Sequence, residues 1–189
     1  MRKTRKAAAV LTAFAMAAVS AVPAMADEIK DLYDYELQAR EIETWNILQS
    51  QQSTDMNVLT NLYDGLVEAD EYGKVVPAIA ESWETEDNGI TWTFHLRDAK
   101  WEDGVDVKAG DFEYAIKRIL NPETASPISG NILFIKNAEE AVAGSVGIDE
   151  VGVKALDDKT LEIQLAYPAP YFLSSCAGSS MLPMRQDIV

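Results

Sequence analysis

The sequence has a single cysteine and a single histidine among its 189 residues. One cysteine excludes an intrachain disulfide, so the chain must depend on a hydrophobic core for its stability. One cysteine and one histidine also cannot supply the ligands of a zinc site. Cys176 lies in the stretch Phe172-Leu173-Ser174-Ser175-Cys176-Ala177, and we expect it to be a buried structural thiol rather than a nucleophile.

Positive charge is scarce as well. The chain has 16 Lys and Arg against 31 Asp and Glu, which gives a formal net charge of -15. A surface of this sign repels the phosphates of nucleic acids and anionic lipid headgroups, so we expect no nucleic-acid partner. Acidity also keeps a protein soluble, and by itself it does not select a cationic ligand.

Long apolar runs are confined to the beginning of the chain. Residues 7–22 are apolar and free of acids; they follow four basic residues and precede Ala24-Met25-Ala26. This order is typical of a cleaved signal peptide over residues 1–26. The alternative, a membrane anchor, would need roughly 20 apolar residues. No cysteine follows the cleavage site, so we expect a periplasmic or extracellular product without a lipid anchor.

Groups that could carry catalysis are few. His95 alternates with apolar residues on a predicted strand, and we expect it to lie on the polar face. No glycine-rich phosphate loop is present. Paired carboxylates could serve a hydrolase or a calcium site, but no EF-hand spacing occurs, and we expect solvated faces. We therefore predict that the protein is not an enzyme and has no cofactor or metal. The acidic clusters are Asp64, Glu68, Asp70 and Glu71; Glu84, Glu86 and Asp87; and Glu102, Asp103 and Asp106.

Periodicity predicts a mixed α/β (α+β) chain. Asp87-Asn88-Gly89 precedes the alternating strand 91–97, which indicates a hairpin with positive φ at Asn88 and Gly89. An apolar stripe predicts a helix over about 110–120 that ends at Asn121-Pro122. Residues 151–165 alternate around Asp157-Asp158-Lys159 and predict a second hairpin.

The segment before residue 70 is less regular. Asp34–Glu43 has the alternation of a strand. Met56, Leu59, Leu62, Tyr63 and Leu66 recur at spacings of three and four, which predicts one face of a helix capped by Ser53 or Thr54. Trp45 could lie in the core or in a cleft, whereas Trp83, Trp92 and Trp101 are expected in the core.

Several segments together resemble the oligopeptide- and dipeptide-binding proteins, the solute receptors of bacterial ABC importers. They are Pro77-Ala78-Ile79-Ala80-Glu81-Ser82-Trp83, Trp92-Thr93-Phe94-His95-Leu96-Arg97, Trp101-Glu102-Asp103-Gly104, Asp111-Phe112 with Tyr114, and Asn121-Pro122 with Thr124-Ala125-Ser126-Pro127. Residues 153–163 and Pro168-Ala169-Pro170-Tyr171 are also similar.

This resemblance implies the N-terminal part of a two-lobed fold of the type II periplasmic-binding-protein kind. Residues 27–63 would begin the first lobe, and residues 64–189 would be a subdomain inserted in it, with the remainder of the protein missing. It further implies a monomeric receptor that binds a peptide and delivers it to a membrane permease and ATPase. The family often has Thr where Lys108 stands; lysine cannot accept an amide hydrogen bond, so we expect a helix start weaker by about 1 kcal/mol.

The same resemblance suggests ligand contacts. The loop Gln51-Gln52-Ser53 would reach the ligand backbone, although these residues could instead only cap the following helix. Ile128 stands where peptide binders often have an aromatic residue, which leaves an apolar contact but removes stacking. Trp45 is a further candidate.

Other functions stay open on this sequence. A receptor of the same fold could bind a nickel complex, haem, an opine or an oligosaccharide. A secreted hydrolase that uses two carboxylates, and a chaperone-like protein that binds unfolded chains, are more distant alternatives.

Overall fold

The computed structural model describes residues 41–189. The predicted signal peptide and most of the predicted strand Asp34–Glu43 lie outside these residues. The helices are α1 (Ser53–Leu59), α2 (Ala109–Leu120), α3 (Ala138–Val142) and α4 (Phe172–Ser175). The strands are β1 (Val67–Ala69), β2 (Val75–Pro77), β3 (Ala80–Glu86), β4 (Thr91–Leu96), β5 (Val153–Ala155) and β6 (Thr160–Gln164).

A four-stranded antiparallel sheet in the order β3-β4-β6-β5 forms the centre of the described part. The first predicted hairpin is confirmed: β3 and β4 pair from Ala80↔Leu96 to Glu86↔Thr91. Its turn has positive φ at Asp87 as well as at Asn88 and Gly89, with values of 51, 58 and 87°. Three left-handed residues in succession explain why this turn uses the Asp-Asn-Gly sequence.

The second predicted hairpin, β5 and β6, is also confirmed, and it joins the first along β4. Because side chains alternate along a strand, one face of the sheet collects the apolar residues. Phe94 on β4 and Leu161 and Ile163 on β6 are fully buried on this face. Phe172 of α4 packs there too, with its ring centre 5.2 Å from that of Trp92 and 6.3 Å from that of Phe94.

Helix α2 packs against β5 and β6. Its predicted stripe is confirmed, since these residues are all buried: Phe112, Ala115, Ile116, Ile119 and Leu120. At the start of the helix, Lys108 makes no side-chain cap, as expected, and pairs instead with Asp158 at 2.9 Å. Asp111 supplies half of a capping box, because its Oδ2 accepts the Lys108 N–H at 3.0 Å.

The predicted helix through Met56 to Leu66 was too long. Helix α1 ends at Leu59, and Leu62 is 62% exposed. Gly65 and Leu66 instead accept backbone hydrogen bonds from the N–H groups of Ile79 and Ala80. The N-cap residue is Gln52 rather than the predicted Ser53 or Thr54, and the Gln52 side chain makes no cap hydrogen bond.

The last described residues return to the first turn of α2 and to the loop before it. Met184 N–H donates to the carbonyl of Asp111. The side chain of Arg185 is only 9% exposed and forms ion pairs with Asp103 and Asp187. Hydrogen bonds from Arg185 lower the pKa of both carboxyls below the usual range, and the two carboxylates in turn raise the pKa of Arg185.

The single cysteine and three of the tryptophans lie where the sequence predicts them, in or against the core. Cys176 is fully buried, and burial raises the pKa of its thiol, as expected for a structural cysteine. Trp83, Trp92 and Trp101 are partly buried and pack against the core. Within residues 41–189, no helix is both long and apolar enough to cross a bilayer.

Candidate ligand-binding site

The first loop of the candidate site, residues 45–53, is a tight turn built on Asn46. The carbonyl of Asn46 accepts the N–H groups of Gln49 and Ser50, and its side-chain oxygen accepts the N–H of Leu48 at 3.0 Å. Ile47 and Leu48 are buried and anchor the turn in the core. The side chains of Gln49 and Gln51 therefore project outward from a fixed backbone.

A buried polar pair holds the end of this loop. The Ser50 hydroxyl donates to Asp55 Oδ2 at 2.9 Å, and Ser50 and Asp55 are 2% and 1% exposed. The other carboxylate oxygen of Asp55 accepts the N–H of Glu43 at 3.2 Å. Because a buried carboxylate is stable only when it is hydrogen-bonded, these contacts fix where the loop ends and α1 begins.

The second loop, residues 121–128, follows the C-terminus of α2. Asn121 accepts the N–H of Thr124 through its carbonyl and the N–H of Glu123 through its side chain, at 3.0 and 2.9 Å. Ala125 then takes a left-handed conformation with φ of 48°. This conformation is uncommon for a residue other than glycine, and surrounding contacts must hold it.

Three hydrogen bonds join the two loops. Gln49 Nε2 donates to the carbonyl of Thr124 at 3.0 Å, and Gln51 Nε2 donates to the carbonyl of Pro127 at 3.0 Å. In the opposite direction, the buried Ser126 hydroxyl donates to the carbonyl of Leu48 at 2.5 Å. The loops therefore form one surface, although more than 70 residues separate them in the sequence.

The structure brings most of the candidate residues together. Gln51 is exposed and touches the second loop directly, and Gln52 and Ser53 follow it at the start of α1. Ile128 follows Pro127, but it is only 6% exposed and belongs to the hydrophobic core rather than to the surface. Trp45 is 63% exposed, so its position in the core is excluded.

Sequence reasoning missed Gln49 and Ser126, which make two of the three bonds between the loops. A side chain that bonds a distant carbonyl has no periodic signal. The available hint was composition: Gln49 belongs to the same polar run as Gln51, and Ser126 stands between Ala125 and a proline.

The joined surface has little charge of its own. The first loop contains no ionisable side chain, and the second contains only Glu123. Within the described residues, no group of three or more His, Cys, Asp or Glu side chains is arranged to hold a metal ion. What the surface offers is amide and hydroxyl groups on a rigid backbone, which suits hydrogen bonding to a neutral ligand backbone.

Residues 74–186, more than half of the chain, match the profile of the bacterial extracellular solute-binding proteins, family 5, middle region. The chain belongs to this family. Family 5 proteins are solute-binding receptors rather than enzymes. The resemblance proposed from the sequence motifs is thereby confirmed.

Individual family 5 proteins are similar over most of this chain. The periplasmic oligopeptide-binding protein OppA of Salmonella typhimurium is 41% identical over 138 residues, which are 71% of this chain and 25% of OppA. The probable deoxycholate-binding periplasmic protein YgiS of Escherichia coli is 38% identical over 142 residues, 74% of this chain and 26% of YgiS. The chain spans about a quarter of the length of the curated relatives it matches.

The fold is similar to that of a solved family 5 structure. The crystal structure of Haemophilus influenzae OppA in complex with RPPGFSPFR matches with a TM-score of 0.73 and 38% sequence identity. The match covers 77% of this chain and 29% of that protein. The predicted mixed α/β fold, as part of a periplasmic binding protein, is confirmed.

Proposed function

We propose that this chain is part of a receptor that binds peptides outside the cytoplasm and delivers them to an ABC permease powered by an ATPase. Membership of family 5 and the 41% identity to an oligopeptide-binding protein support this proposal. The observation that carries it is the convergence of two loops, each expected to reach the ligand, into one joined surface.

The division of the chain follows from the same proposal. Residues 1–26 are a signal peptide that directs the protein to the periplasm, residues 27–63 begin the first lobe, and residues 64–189 form a subdomain inserted in it. A second lobe, contributed by the rest of the protein, closes over the ligand by a hinge motion. The ligand favours the closed form because it contacts both lobes only there.

The surface recognises the backbone of a peptide more than its side chains. The amide nitrogen of Gln51 is engaged by Pro127, so the side-chain oxygen of Gln51 is the atom left to accept a hydrogen bond from an N–H group of the ligand. Gln52 and Ser53 continue this polar edge along the chain, and Trp45, in the same loop and 63% exposed, offers an aromatic face. Such contacts give affinity for many sequences, since every peptide has the same backbone.

Calorimetry of the full-length natural protein tests the proposal. We expect heat of binding from tri- to pentapeptides, and the Gln51→Ala variant should bind them about threefold to tenfold more weakly because it loses both the proposed ligand hydrogen bond and the bond to Pro127. Lys74→Met, which changes an exposed residue on the β1–β2 hairpin outside both loops, should bind like the wild type. A folded protein that binds no peptide in the library would contradict the proposal.

A receptor for an amphipathic solute such as a bile acid is a second candidate. The 38% identity to a probable deoxycholate-binding protein favours it. Deoxycholate titrated into the same protein distinguishes the two. Binding of deoxycholate without binding of peptides would replace the first proposal by the second.

A further inference from the structure

Ala125 has the least favourable backbone conformation in the second loop, and this conformation needs contacts with neighbouring residues to hold it. Its φ of 48° lies in the left-handed region, which alanine seldom adopts. The bonds to the first loop hold the residues on either side: Thr124 accepts from Gln49, and Ser126 donates to Leu48. The left-handed turn is therefore held both within its own loop, where the Ala125 N–H donates to the Pro122 carbonyl at 3.2 Å, and from the first loop.

We propose that Gln49 is a positioning residue for ligand binding, which holds Ala125 in its left-handed conformation and thereby sets the shape of the second loop. This inference rests on the proposed peptide-binding function. Gln49 itself makes no contact with the ligand in this proposal. Its amide nitrogen acts through Thr124, 75 residues further along the chain.

Of the three side chains that donate hydrogen bonds between the loops, Gln49 is the best one to substitute in a test of loop positioning. Gln51 is a proposed ligand contact, and Ser126 is only 7% exposed, so changing either would alter more than loop position. Gln49 is exposed, and its replacement opens no cavity. Substitutions there can keep or remove the donor: lysine can donate to the Thr124 carbonyl, methionine cannot, and glutamate places a negative charge against a carbonyl oxygen.

The experiment measures peptide affinity and amide hydrogen exchange in the full-length protein. An equimolar mixture of tri- to pentapeptides is first applied to the wild type, and the member that mass spectrometry shows to be retained most is used for calorimetry. We expect Gln49→Met to bind this peptide about threefold to tenfold more weakly, Gln49→Glu to bind at least as weakly, and Gln49→Lys to bind nearly like the wild type. Exchange should accelerate at residues 124–128 and stay unchanged in α2 and β4.

A second substitution tests the role of Ala125 directly. Asparagine adopts the left-handed region more readily than alanine, so Ala125→Asn should recover part of the affinity lost in Gln49→Met. Lys74→Met, on the β1–β2 hairpin, serves as the control for placing methionine at an exposed position.

Each outcome decides the matter. Wild-type affinity in Gln49→Met would overturn the inference, and so would faster exchange spread evenly over α2 and β4, or failure of this exposed substitution to fold. An equal loss of affinity in Gln49→Met and Gln49→Lys would also overturn it, because the donor would then be irrelevant. If the wild type binds no peptide at all, the proposed function fails and the inference fails with it. If it binds and the variants are unaffected, only the inference fails.

Discussion

The sheet with α2 and the pair of loops at the candidate site are stabilised in different ways. The sheet is a continuous ladder of backbone hydrogen bonds over a face of buried apolar side chains. The loops are joined by three hydrogen bonds, each between a side chain and a backbone carbonyl. Many cooperative contacts support the first region, and a few separate contacts support the second. Substitutions should therefore affect global stability in the sheet and local shape in the loops.

The largest effect should come from the apolar face of the sheet. Phe94 is fully buried and contacts the rings of Trp83, Trp92 and Phe172. Phe94→Ala should lower the free energy of unfolding by about 3–5 kcal/mol, since it removes buried surface and leaves a cavity. Guanidinium unfolding measures this loss.

Tyr72→Ala is the matched control, because this aromatic residue is 86% exposed. Its effect should stay within about 0.5 kcal/mol. Equal losses in the two variants would show that the aromatic cluster is not the source of the stability of the sheet.

The second largest loss of stability is expected for a substitution at the start of α2. Asp111 Oδ2 accepts both the N–H of Lys108 and the Nε1–H of Trp101, each at 3.0 Å. Asp111→Ala should cost about 2 kcal/mol because it removes a helix cap and leaves a partly buried indole N–H unpaired. Asp111→Asn, which keeps an oxygen acceptor, should lose less.

Thermal unfolding followed by tryptophan fluorescence measures this cost. Asp98→Ala is the control, because the Asp98 side chain is fully exposed and its ion pair with Lys159 contributes little. If Asp111→Ala and Asp98→Ala have the same melting temperature, the hydrogen bonds of Asp111 do not stabilise the helix.

A smaller effect is expected where the loops meet. Ser126→Ala removes the hydroxyl that donates to the carbonyl of Leu48 and should cost about 1 kcal/mol. Hydrogen exchange should accelerate in residues 46–52 and 124–128 and remain slow in β4, since only the junction between the loops is weakened. Ser145→Ala, at an exposed serine, should change neither. Slower folding or faster exchange throughout the sheet would contradict the separation of the two regions.

The smallest effect concerns acid stability. Arg185 lowers the pKa of Asp103 and Asp187 in the folded protein. A lowered folded-state pKa adds stability that is present above the unfolded value, about 3.9, and is lost as pH falls through the folded values. The melting temperature of Arg185→Met should therefore fall less steeply than that of the wild type below about pH 4.

The change should be modest, because both carboxylates are largely exposed to solvent. Lys74→Met, which changes an exposed cation on the β1–β2 hairpin, is the control and should follow the wild-type pH dependence. Parallel curves for the wild type and Arg185→Met would show that the ion pairs do not contribute to acid stability.

Local pattern was sufficient for the hairpins and for α2. Alternation places Phe94 and Leu161 on the same face, and the Asp-Asn-Gly turn reverses the chain without a distant partner. The helix predicted through Leu66 was wrong because helical spacing is not unique to helices. Leu66 is buried since Ile79 and Ala80 pair with Gly65 and Leu66, and this pairing between distant segments overrides the local pattern.

The candidate site shows the same limit. Motif resemblance indicated Gln51, Gln52 and Ser53 on one loop and Ile128 on another, and the convergence of the two loops is what the structure adds. Motif resemblance could not indicate that Ile128 would be nearly buried or that Trp45 would be exposed, because burial depends on which segments cover a residue. Gln49 and Ser126 were missed for a related reason: their partners are chosen by proximity in space.

Alternation and turn residues were enough to predict the hairpins and the amphipathic helix, because these arise from interactions between near neighbours in the chain, and the order of the motifs was enough to indicate the receptor family. The folded arrangement alone decided that α1 stops at Leu59, that Gln49 meets Thr124, and that Ala125 is held in a left-handed turn. Hydrogen bonds between a side chain and a carbonyl more than 70 residues away depend on three-dimensional proximity, and they leave no repeat in the order of the amino acids.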